Sequence, residues 1–334
     1  MNIRNWLNEL KEARVKKPMP ILSFPGAALL GISVRELISS SENQAAAMAA
    51  IAQRTDAAAS VSLMDLSLEA ECFGCPIRVS DDEVPTVTGC IVSSMEEAQA
   101  LKVPHIGAGR TDIYIEAIRL AKQKIKDRPV FAGTIGPFSL AGRLTDVTEA
   151  MIYCYDEPEM MHVVLSKATE FLIEYIKAYK KAGADGVVMA EPLAGLLSLE
   201  LADEFSSQYV KRINEAVQDE NFIVIYHNCG NTAIRIIDSI LSTGSDAYHF
   251  GNAIDMAEML EHIPDDVVAM GNVDPAGVLK NGTPESVRKA TLDIMNACCK
   301  HRNFVISSGC DIPPATPWSN VEAFFHAAQE YYGK

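Results

Sequence analysis

Short apolar runs alternate with longer amphipathic stretches along most of the chain. Eight of these runs are rich in β-branched and other apolar residues and end in a polar or glycine-containing turn, which is typical of buried strands. The predicted strands cover residues 20–26, 60–67, 128–137, 185–192, 221–230, 246–252, 266–274 and 303–311. Helical periodicity separates them, as in PEMMHVVLSKATEFLIEYIKAYKKAG, where Gly183 predicts the end of a helix.

Eight strands that are buried on both faces and separated by helices favour a closed parallel sheet over an open one. We therefore predict an α/β fold, a (β/α)8 TIM-type barrel, as a single domain over residues 1–334. Residues 1–19 are a predicted N-terminal helical extension, and the less regular segment 70–128 is a predicted excursion over the barrel mouth. Chemistry in such barrels is found at the carboxyl ends of the strands, so polar residues there are the first site candidates.

Three residues at these strand ends are poorly explained as turn formers. His227 and Cys229 end the run IVIYHNCGN, and residues two apart on a strand point to the same side. Cys310 ends the last predicted strand, in SSGCDIPP. One histidine and two cysteines can bind Zn²⁺ and leave a fourth position open. The spacing matches no zinc-finger rule, so buried, inert thiols are the alternative.

The charge of this ligand set bears on its chemistry. Two thiolates already neutralise Zn²⁺, which weakens the ion as a Lewis acid toward water or a carbonyl group. A third thiolate, from a substrate, would stay deprotonated and nucleophilic, and the thiolate is the reactive form of sulfur. The set therefore favours alkyl transfer to sulfur, while activation of water stays open.

Composition narrows the classes of partner. The chain carries 29 Lys and Arg against 44 Asp and Glu, a formal net charge of −15, which disfavours binding to nucleic acid. It has no run of about 18 apolar residues and no apolar centre of a secretion signal near its start. We therefore expect a cytoplasmic protein with no membrane span, whose eight cysteines form no disulfide framework.

Several motifs resemble the uroporphyrinogen decarboxylase superfamily. They are YHNCGNT, GNVDP and ISSGCDIPPATPWSN, and MDLSLEAECFG and GTIGPFSLAGRL extend the resemblance over nearly the whole chain. Within the superfamily the chain looks like the zinc-dependent methylcobamide:thiol methyltransferases. That resemblance implies a (β/α)8 barrel with zinc held by His227, Cys229 and Cys310. It also implies that a separate corrinoid protein supplies methylcobamide, and that a zinc-bound thiol such as coenzyme M or homocysteine accepts the methyl group.

Three other functions stay open. The decarboxylases of this superfamily bind substrate carboxylates with an arginine-rich RQAGRY motif, but the matching region here reads ILSFPGAALLG, and the next arginine is Arg35. Relatives that methylate tetrahydrofolate would not need the zinc ligands, so the intact set counts against that acceptor. A non-catalytic corrinoid or tetrapyrrole-binding protein is disfavoured because the ligands lie at the open face. Assembly into a homo-oligomer is also open.

Further polar residues are candidates for binding or catalysis. Asp65 matches the essential aspartate of the decarboxylases, and we take Asp65 and Glu191 as candidate catalytic residues. Each has a structural alternative, a hydrogen-bonding role for Asp65 and a turn cap for Glu191. The candidates for the face toward the substrate and corrinoid are Glu69, Glu71, Gly133, His249 and Asn272. His249 is also a candidate fourth ligand, although a lone strand histidine is more often packed and hydrogen-bonded.

Overall fold

Seven parallel strands of the computed structural model, which describes residues 2–333, curl into the wall of a barrel in the order β1-β4-β5-β6-β7-β8-β9. The strands are β1 (Ser60–Val61), β2 (Ile77–Arg78), β3 (Thr86–Val87), β4 (Val130–Ile135), β5 (Gly186–Ala190), β6 (Ile223–Asn228), β7 (Ala247–Phe250), β8 (Val268–Val273) and β9 (Phe304–Ser308). The remaining two, β2 and β3, pair as an antiparallel hairpin outside the barrel.

Helices connect the barrel strands and cover their outer face. They are α1 (Ile3–Glu12), α2 (Gly26–Leu30), α3 (Val34–Ile38), α4 (Ser41–Arg54), α5 (Leu68–Phe73), α6 (Met95–Ala100), α7 (Thr111–Lys124), α8 (Pro137–Thr145), α9 (Val147–Asp156), α10 (Pro158–Ala182), α11 (Leu199–Ala202), α12 (Gln208–Val217), α13 (Ile237–Ser242), α14 (Met256–Leu260), α15 (Pro284–Cys298) and α16 (Trp318–Tyr332). Short 3-10 helices span Pro192–Leu196 and Ala233–Ile236, and π-helical turns span Asp203–Ser207 and Pro275–Lys280. Within residues 2–333, no helix is both long enough and apolar enough to cross a membrane.

An extended segment, residues 18–21, completes the barrel wall between β9 and β1. The N–H of Met19 donates to the carbonyl of Ile306 in β9 (3.0 Å), and the N–H of Ala58, just before β1, donates to the carbonyl of Pro18 (2.8 Å). These bonds reach both edge strands of the sheet. The fold is therefore the predicted α/β TIM-type barrel, with this segment in place of an eighth regular strand.

The prediction of a regular strand over residues 20–26 is wrong. Pro18 and Pro20 lie in the segment that closes the barrel, and proline has no N–H to donate to a neighbouring strand. The chain can therefore make only part of a ladder here, and it turns into α2 at Gly26. The other seven predicted strands are present, although β1 keeps a ladder over two residues only.

The core has an inner part, inside the barrel, and a larger outer part between strands and helices. Every residue of β4, β5, β6, β8 and β9 is buried, because both faces of the sheet are covered. Helix α1, within the predicted extension, adds Ile3, Leu7 and Leu10 to the inner part. The N–H of Ile3 donates to the carbonyl of Glu220, shortly before β6 (3.1 Å), so α1 covers the amino end of the barrel.

The segment 70–128 contains the β2–β3 hairpin and helices α6 and α7. Hairpin residues 84–90 line a cavity together with Met64 and Leu66, which follow β1. The hairpin therefore lies at the carboxyl end of the barrel. The assignment of the whole chain to one domain, with 1–19 and 70–128 as additions, stays a prediction.

Candidate metal centre

One histidine and two cysteines meet at the carboxyl end of the barrel. His227 lies in β6, Cys229 directly follows that strand, and Cys310 lies two residues beyond β9. One ligand atom from each residue lies within 4.8 Å of the other two, and His227 Nε2 is 3.4 Å from Cys310 Sγ. His227 is buried, and both cysteines are half-buried. The structure thus brings together the three residues that the sequence selected as ligands.

The chemistry of this donor set fits Zn²⁺. Imidazole nitrogen and thiolate sulfur are zinc's usual protein ligands, and catalytic sites keep three of them with one position open. Within the described part of the chain, no further histidine, cysteine or carboxylate joins the group. The half-buried sulfur atoms leave an approach for a small molecule.

The pKa values of the two thiols are shifted in opposite directions. A hydrogen bond from the Cys310 thiol lowers the pKa of Cys229, and His227 lowers it further. The same bond to Cys229, together with burial, raises the pKa of Cys310 well above its ordinary value. A cation placed between the sulfur atoms would stabilise both as thiolates, because its charge favours the deprotonated form of each thiol.

A chain of hydrogen bonds extends behind His227, away from the thiols. His227 Nδ1 is 2.8 Å from His249 Nδ1, and His249 Nε2 is 2.7 Å from the hydroxyl of Ser307 in β9. The Ser307 hydroxyl also lies 2.7 Å from the carbonyl oxygen of Met19, in the segment that closes the barrel. His249 is therefore a partner of a ligand, and its ring is not beside the thiols.

The positions of the hydrogen atoms in this chain follow from its far end. The Met19 carbonyl can only accept, so the single hydroxyl hydrogen of Ser307 is donated to it. His249 Nε2 must then donate to Ser307, and burial lowers the pKa of His249 well below its ordinary value, so the ring is neutral. Its Nδ1 is consequently an acceptor for the Nδ1–H of His227. This arrangement leaves the Nε2 lone pair of His227 directed toward the thiols, 3.4 Å from Cys310 Sγ.

The turn between the two ligands of β6 is fixed by Asn228. Its side-chain N–H donates to the carbonyl of Glu191 (2.8 Å), and its side-chain oxygen accepts from the N–H of Gly230 (2.8 Å). A Cβ on Gly251 would lie 2.5 Å from Cα of Cys229, so only glycine allows this approach of β7 to β6. Asn228, Gly251 and Ser307 are not among the residues selected from the sequence. Only for Asn228 does the sequence offer a signal, its position between the two predicted ligands His227 and Cys229.

Glu191, a predicted catalytic residue, caps a helix. Its two carboxylate oxygens accept from the N–H groups of Phe138 (2.9 Å) and Ser139 (2.6 Å), in the first turn of α8. Burial raises the pKa of Glu191 to about 7, and the hydrogen bonds from Ser139 and Phe138 oppose this shift. Its own N–H donates to the carbonyl of His227 (2.8 Å). This geometry matches the structural alternative, a cap, and it ties α8 to the strand that carries His227.

Asp65, the other predicted catalytic residue, has both carboxylate oxygens engaged. One oxygen accepts from the Arg110 guanidinium (2.6 Å) and the Tyr114 hydroxyl (2.7 Å). The other accepts from the hydroxyl (2.6 Å) and the N–H (3.1 Å) of Ser67. Arg110 also donates to Glu71 (2.7 Å), so both acids hold α7 against the end of β1. Arg110, 45 residues from Asp65 along the chain, gave no sequence signal.

The other predicted face residues have packing or hydrogen-bonding roles in the structure. One oxygen of the buried Glu69 accepts from the Thr134 hydroxyl (3.0 Å) and the Ile135 N–H (3.1 Å), and the other has no partner among the described residues. Burial raises the pKa of Glu69 to about 7. A Cβ on Gly133 would lie 2.5 Å from the carbonyl oxygen of Leu63. The side chain of Asn272 donates to the carbonyls of two residues in the loop after β7, at 3.0 Å each.

Comparison with known proteins places the chain in a family. Residues 19–331 match the family described as uroporphyrinogen decarboxylase (URO-D). The chain therefore belongs to the URO-D family, and the resemblance predicted from its motifs is confirmed. A solved structure described as a methyltransferase from Methanosarcina mazei superposes with a TM-score of 0.86 at 25% identity, over 99% of this chain and 98% of the other.

Relatives in this family carry out different reactions. A methylcobamide:CoM methyltransferase, MtbA of Methanosarcina acetivorans, is 29% identical over 274 residues, which are 80% of this chain and 78% of the relative. A uroporphyrinogen decarboxylase of Coxiella burnetii is 28% identical over 286 residues, 82% of this chain and 77% of the relative. Both relatives cover a similar share of the chain at similar identity. The choice between their reactions therefore depends on the residues of the site.

Proposed function

We propose that this protein is a zinc-dependent methyltransferase that moves a methyl group from methylcobamide, carried by a corrinoid protein, to a small thiol. The observation that carries the proposal is the meeting of His227, Cys229 and Cys310 at the carboxyl end of the barrel. A similarity to MtbA, whose name states this type of donor and acceptor, supports it. The full engagement of Asp65 by neighbouring donors, and the lack of arginine in residues 21–31, count against decarboxylation of a carboxylate-rich substrate.

His227, Cys229 and Cys310 would hold the zinc ion, and the three side chains leave one position for the substrate. Zinc bound there would lower the pKa of a thiol in the open position, so that the thiol would lose its proton near neutral pH. His249 and Ser307 fix the ring of His227 with its Nε2 lone pair toward the thiols. Gly251 allows Cys229 to approach the same point.

The methyl transfer itself requires no acid or base from the protein. The substrate sulfur attacks the methyl carbon in line with the cobalt–carbon bond. As the sulfur–carbon bond forms, the cobalt–carbon bond breaks, and its electron pair stays on cobalt, which goes from Co(III) to Co(I). The thiol proton has already left to solvent. The products are a thioether and cob(I)amide on the corrinoid protein, and the role of the barrel is to position and activate the sulfur.

Metal analysis tests the site. We expect about one zinc per chain in the purified protein, and loss of that zinc in Cys310→Ala and His227→Ala variants that keep wild-type circular dichroism. Cys299→Ala is the matched control, since Cys299 is also half-buried but lies at the end of α15, outside the ligand group. Full zinc content in the ligand variants would contradict the assignment.

A methyl-transfer assay tests the reaction. The zinc-loaded protein is incubated with methylcobalamin and, separately, with coenzyme M, homocysteine or tetrahydrofolate, and cob(I)alamin release is followed by absorbance. We expect turnover with at least one thiol and none after removal of zinc. Turnover with tetrahydrofolate alone would assign a different acceptor. Full activity of the metal-free protein would refute the proposed role of the thiols and His227.

A further inference from the structure

A cavity of about 580 Å³ lies at the carboxyl end of the barrel, between the wall and the β2–β3 hairpin. This volume is in the range of small-molecule sites. Its lining comes from the residues after β1, from the hairpin, from α8 and from the residues after β5. The side chains that matter here are Met64, Leu66, Ser67, Arg143, Asp146 and Leu193.

Arg143, in α8, is the one basic residue in this lining. Three arginines within residues 2–333 are only partly exposed, Arg110, Arg128 and Arg143. Arg110 has an ion pair with Asp65, and Arg128 has one with Asp127. Arg143 has no carboxylate within ion-pair distance in the described structure, and its guanidinium donates only to the carbonyl of Ser139, at 3.4 Å in its own helix.

The acids around this guanidinium form no ion pair with it among the described residues. Glu69, the acid that raises the pKa of Arg143 most, accepts from Thr134 and Ile135 through one oxygen, and its other oxygen has no partner among the described residues. Glu191 accepts from the first turn of α8, and Asp65 is held by Arg110 and Tyr114. Asp146, the only carboxylate in the cavity lining, caps α9 through the N–H groups of residues 148 and 149 at 2.8 and 3.4 Å. Burial lowers the pKa of Arg143, because it limits the contact of the charged guanidinium with water. An anion in the cavity would remove this disadvantage.

We propose that Arg143 binds an oxyanion of one of the two reactants inside this cavity. The inference rests on the proposed function, because it takes the anion to be part of the thiol or of the corrinoid. A guanidinium binds sulfonate, carboxylate and phosphate groups with two parallel hydrogen bonds. Helix α8 is also linked to the metal centre through Glu191. The Glu191 side chain caps α8, and the backbone N–H of Glu191 donates to the carbonyl of His227.

Two sources could supply the anion, and substrate pairs distinguish them. An acidic thiol such as 2-mercaptoethanesulfonate carries a sulfonate, which 2-mercaptoethanol lacks. Methylcobalamin carries a phosphodiester, which methylcobinamide lacks. KM for each of these four substrates is measured in the wild type, in Arg143→Gln and in Arg143→Lys. Arg119→Gln is the control, because it removes an exposed guanidinium of α7.

If the thiol carries the anion, Arg143→Gln should raise KM for 2-mercaptoethanesulfonate by about 10- to 100-fold, the loss expected for a charge-assisted hydrogen bond. KM for 2-mercaptoethanol should not change. If the corrinoid carries it, the same rise should affect methylcobalamin and spare methylcobinamide. Arg143→Lys should give an intermediate KM, because lysine keeps the positive charge but cannot form the two parallel hydrogen bonds of a guanidinium. A variant whose four KM values all match the wild type would overturn the inference.

A binding measurement separates this inference from the proposed function. Ethanesulfonate and inorganic phosphate cannot accept or donate a methyl group, and their effect on Tm is measured in the wild type and in Arg143→Gln. If the wild type shows no methyl transfer, a Tm increase that Arg143→Gln abolishes would keep the anion site and refute the methyltransferase function. Methyl transfer with equal KM values in both proteins would refute the site and keep the function. Equal Tm shifts in a protein without turnover would refute both.

Discussion

Ser307 makes no hydrogen bond to His227, Cys229 or Cys310 among the described residues, yet its replacement should weaken metal binding. Its hydroxyl accepts from His249 Nε2 and donates to Met19, and this pattern fixes the hydrogen of each ring nitrogen. In Ser307→Ala, His249 can carry its hydrogen on Nδ1 instead. That hydrogen would face Nδ1 of His227, which must then accept it and carry its own hydrogen on Nε2, toward the metal position. The variant therefore populates a tautomer of His227 that cannot bind a metal.

The expected magnitude follows from this role as an outer partner of a ligand. Loss of such a partner lowers metal affinity by about 10- to 100-fold, which corresponds to about 1.4 to 2.7 kcal/mol. The effect should stay below that of losing a ligand, because His227, Cys229 and Cys310 all remain. His249→Phe removes the ring acceptor of His227 Nδ1–H and leaves only the carbonyl oxygen of residue 249, at 3.3 Å, so it should also weaken zinc binding.

Competition with a chromophoric chelator measures the zinc dissociation constant, and Ser308→Ala is the matched control. Ser308 is the next residue of β9, is equally buried, and accepts from the N–H of Ile21 at 3.0 Å. Both variants lose buried hydrogen bonds of one strand, so both should lose some free energy of unfolding. Only Ser307→Ala should lose zinc affinity. Equal zinc affinity in wild type and Ser307→Ala, or an equal loss in both variants, would refute the tautomer argument.

Three further substitutions test the surroundings of the site. Burial raises the pKa of Glu69 to about 7, so ionisation of this buried carboxyl group destabilises the folded protein as the pH rises from about 4.5 to 7. Over this pH range the free energy of unfolding of Glu69→Gln, measured in urea, should rise above that of the wild type by up to about 3 kcal/mol. A difference that does not depend on pH would contradict this. Glu191→Gln should lower the free energy of unfolding by about 1–3 kcal/mol, because the NH2 group of the new amide would face an N–H of Phe138 or Ser139. A gain in stability like the one expected for Glu69→Gln would argue against the capping role. Gly251→Ala would place a Cβ 2.5 Å from Cα of Cys229 and should weaken zinc binding in the chelator assay. Unchanged affinity would show that the backbone near residue 251 can move away from Cys229.

The ligand group could be predicted from the sequence because two of its residues are close in the chain and all three follow the repeated strand pattern of a barrel. Residues two apart on a strand share a side, which joins His227 to Cys229. The rule that barrel strands carry chemistry at their carboxyl ends then brings in Cys310, 83 residues away from His227. Neither step requires knowledge of a specific tertiary contact.

The partners of the acids could not be predicted in this way. Glu191 and Asp65 stand at strand ends, where both catalytic and structural carboxylates occur. What decides between the roles is the donor that reaches them, the first turn of α8 for one and Arg110 for the other. These donors come from elements distant in the chain, and no pattern along the sequence specifies their approach. Residues 20–26 are a different case, since Pro18 and Pro20 are evident in the sequence and count against a regular strand there.

The distribution of charge around the barrel mouth favours sulfur alkylation over acid–base chemistry. A carboxyl group acts as a general acid or base only where it can reach a substrate proton, and Asp65 and Glu191 have all their oxygens held by donors of the protein. Glu69 keeps one free oxygen but is 1% exposed, so a substrate meets it only if the surrounding side chains move. Transfer of a methyl group to a thiolate moves no proton in the chemical step. Among the partly exposed groups near the mouth are the sulfur atoms of Cys229 and Cys310 and the guanidinium of Arg143, which suit a soft metal ion and an anion respectively.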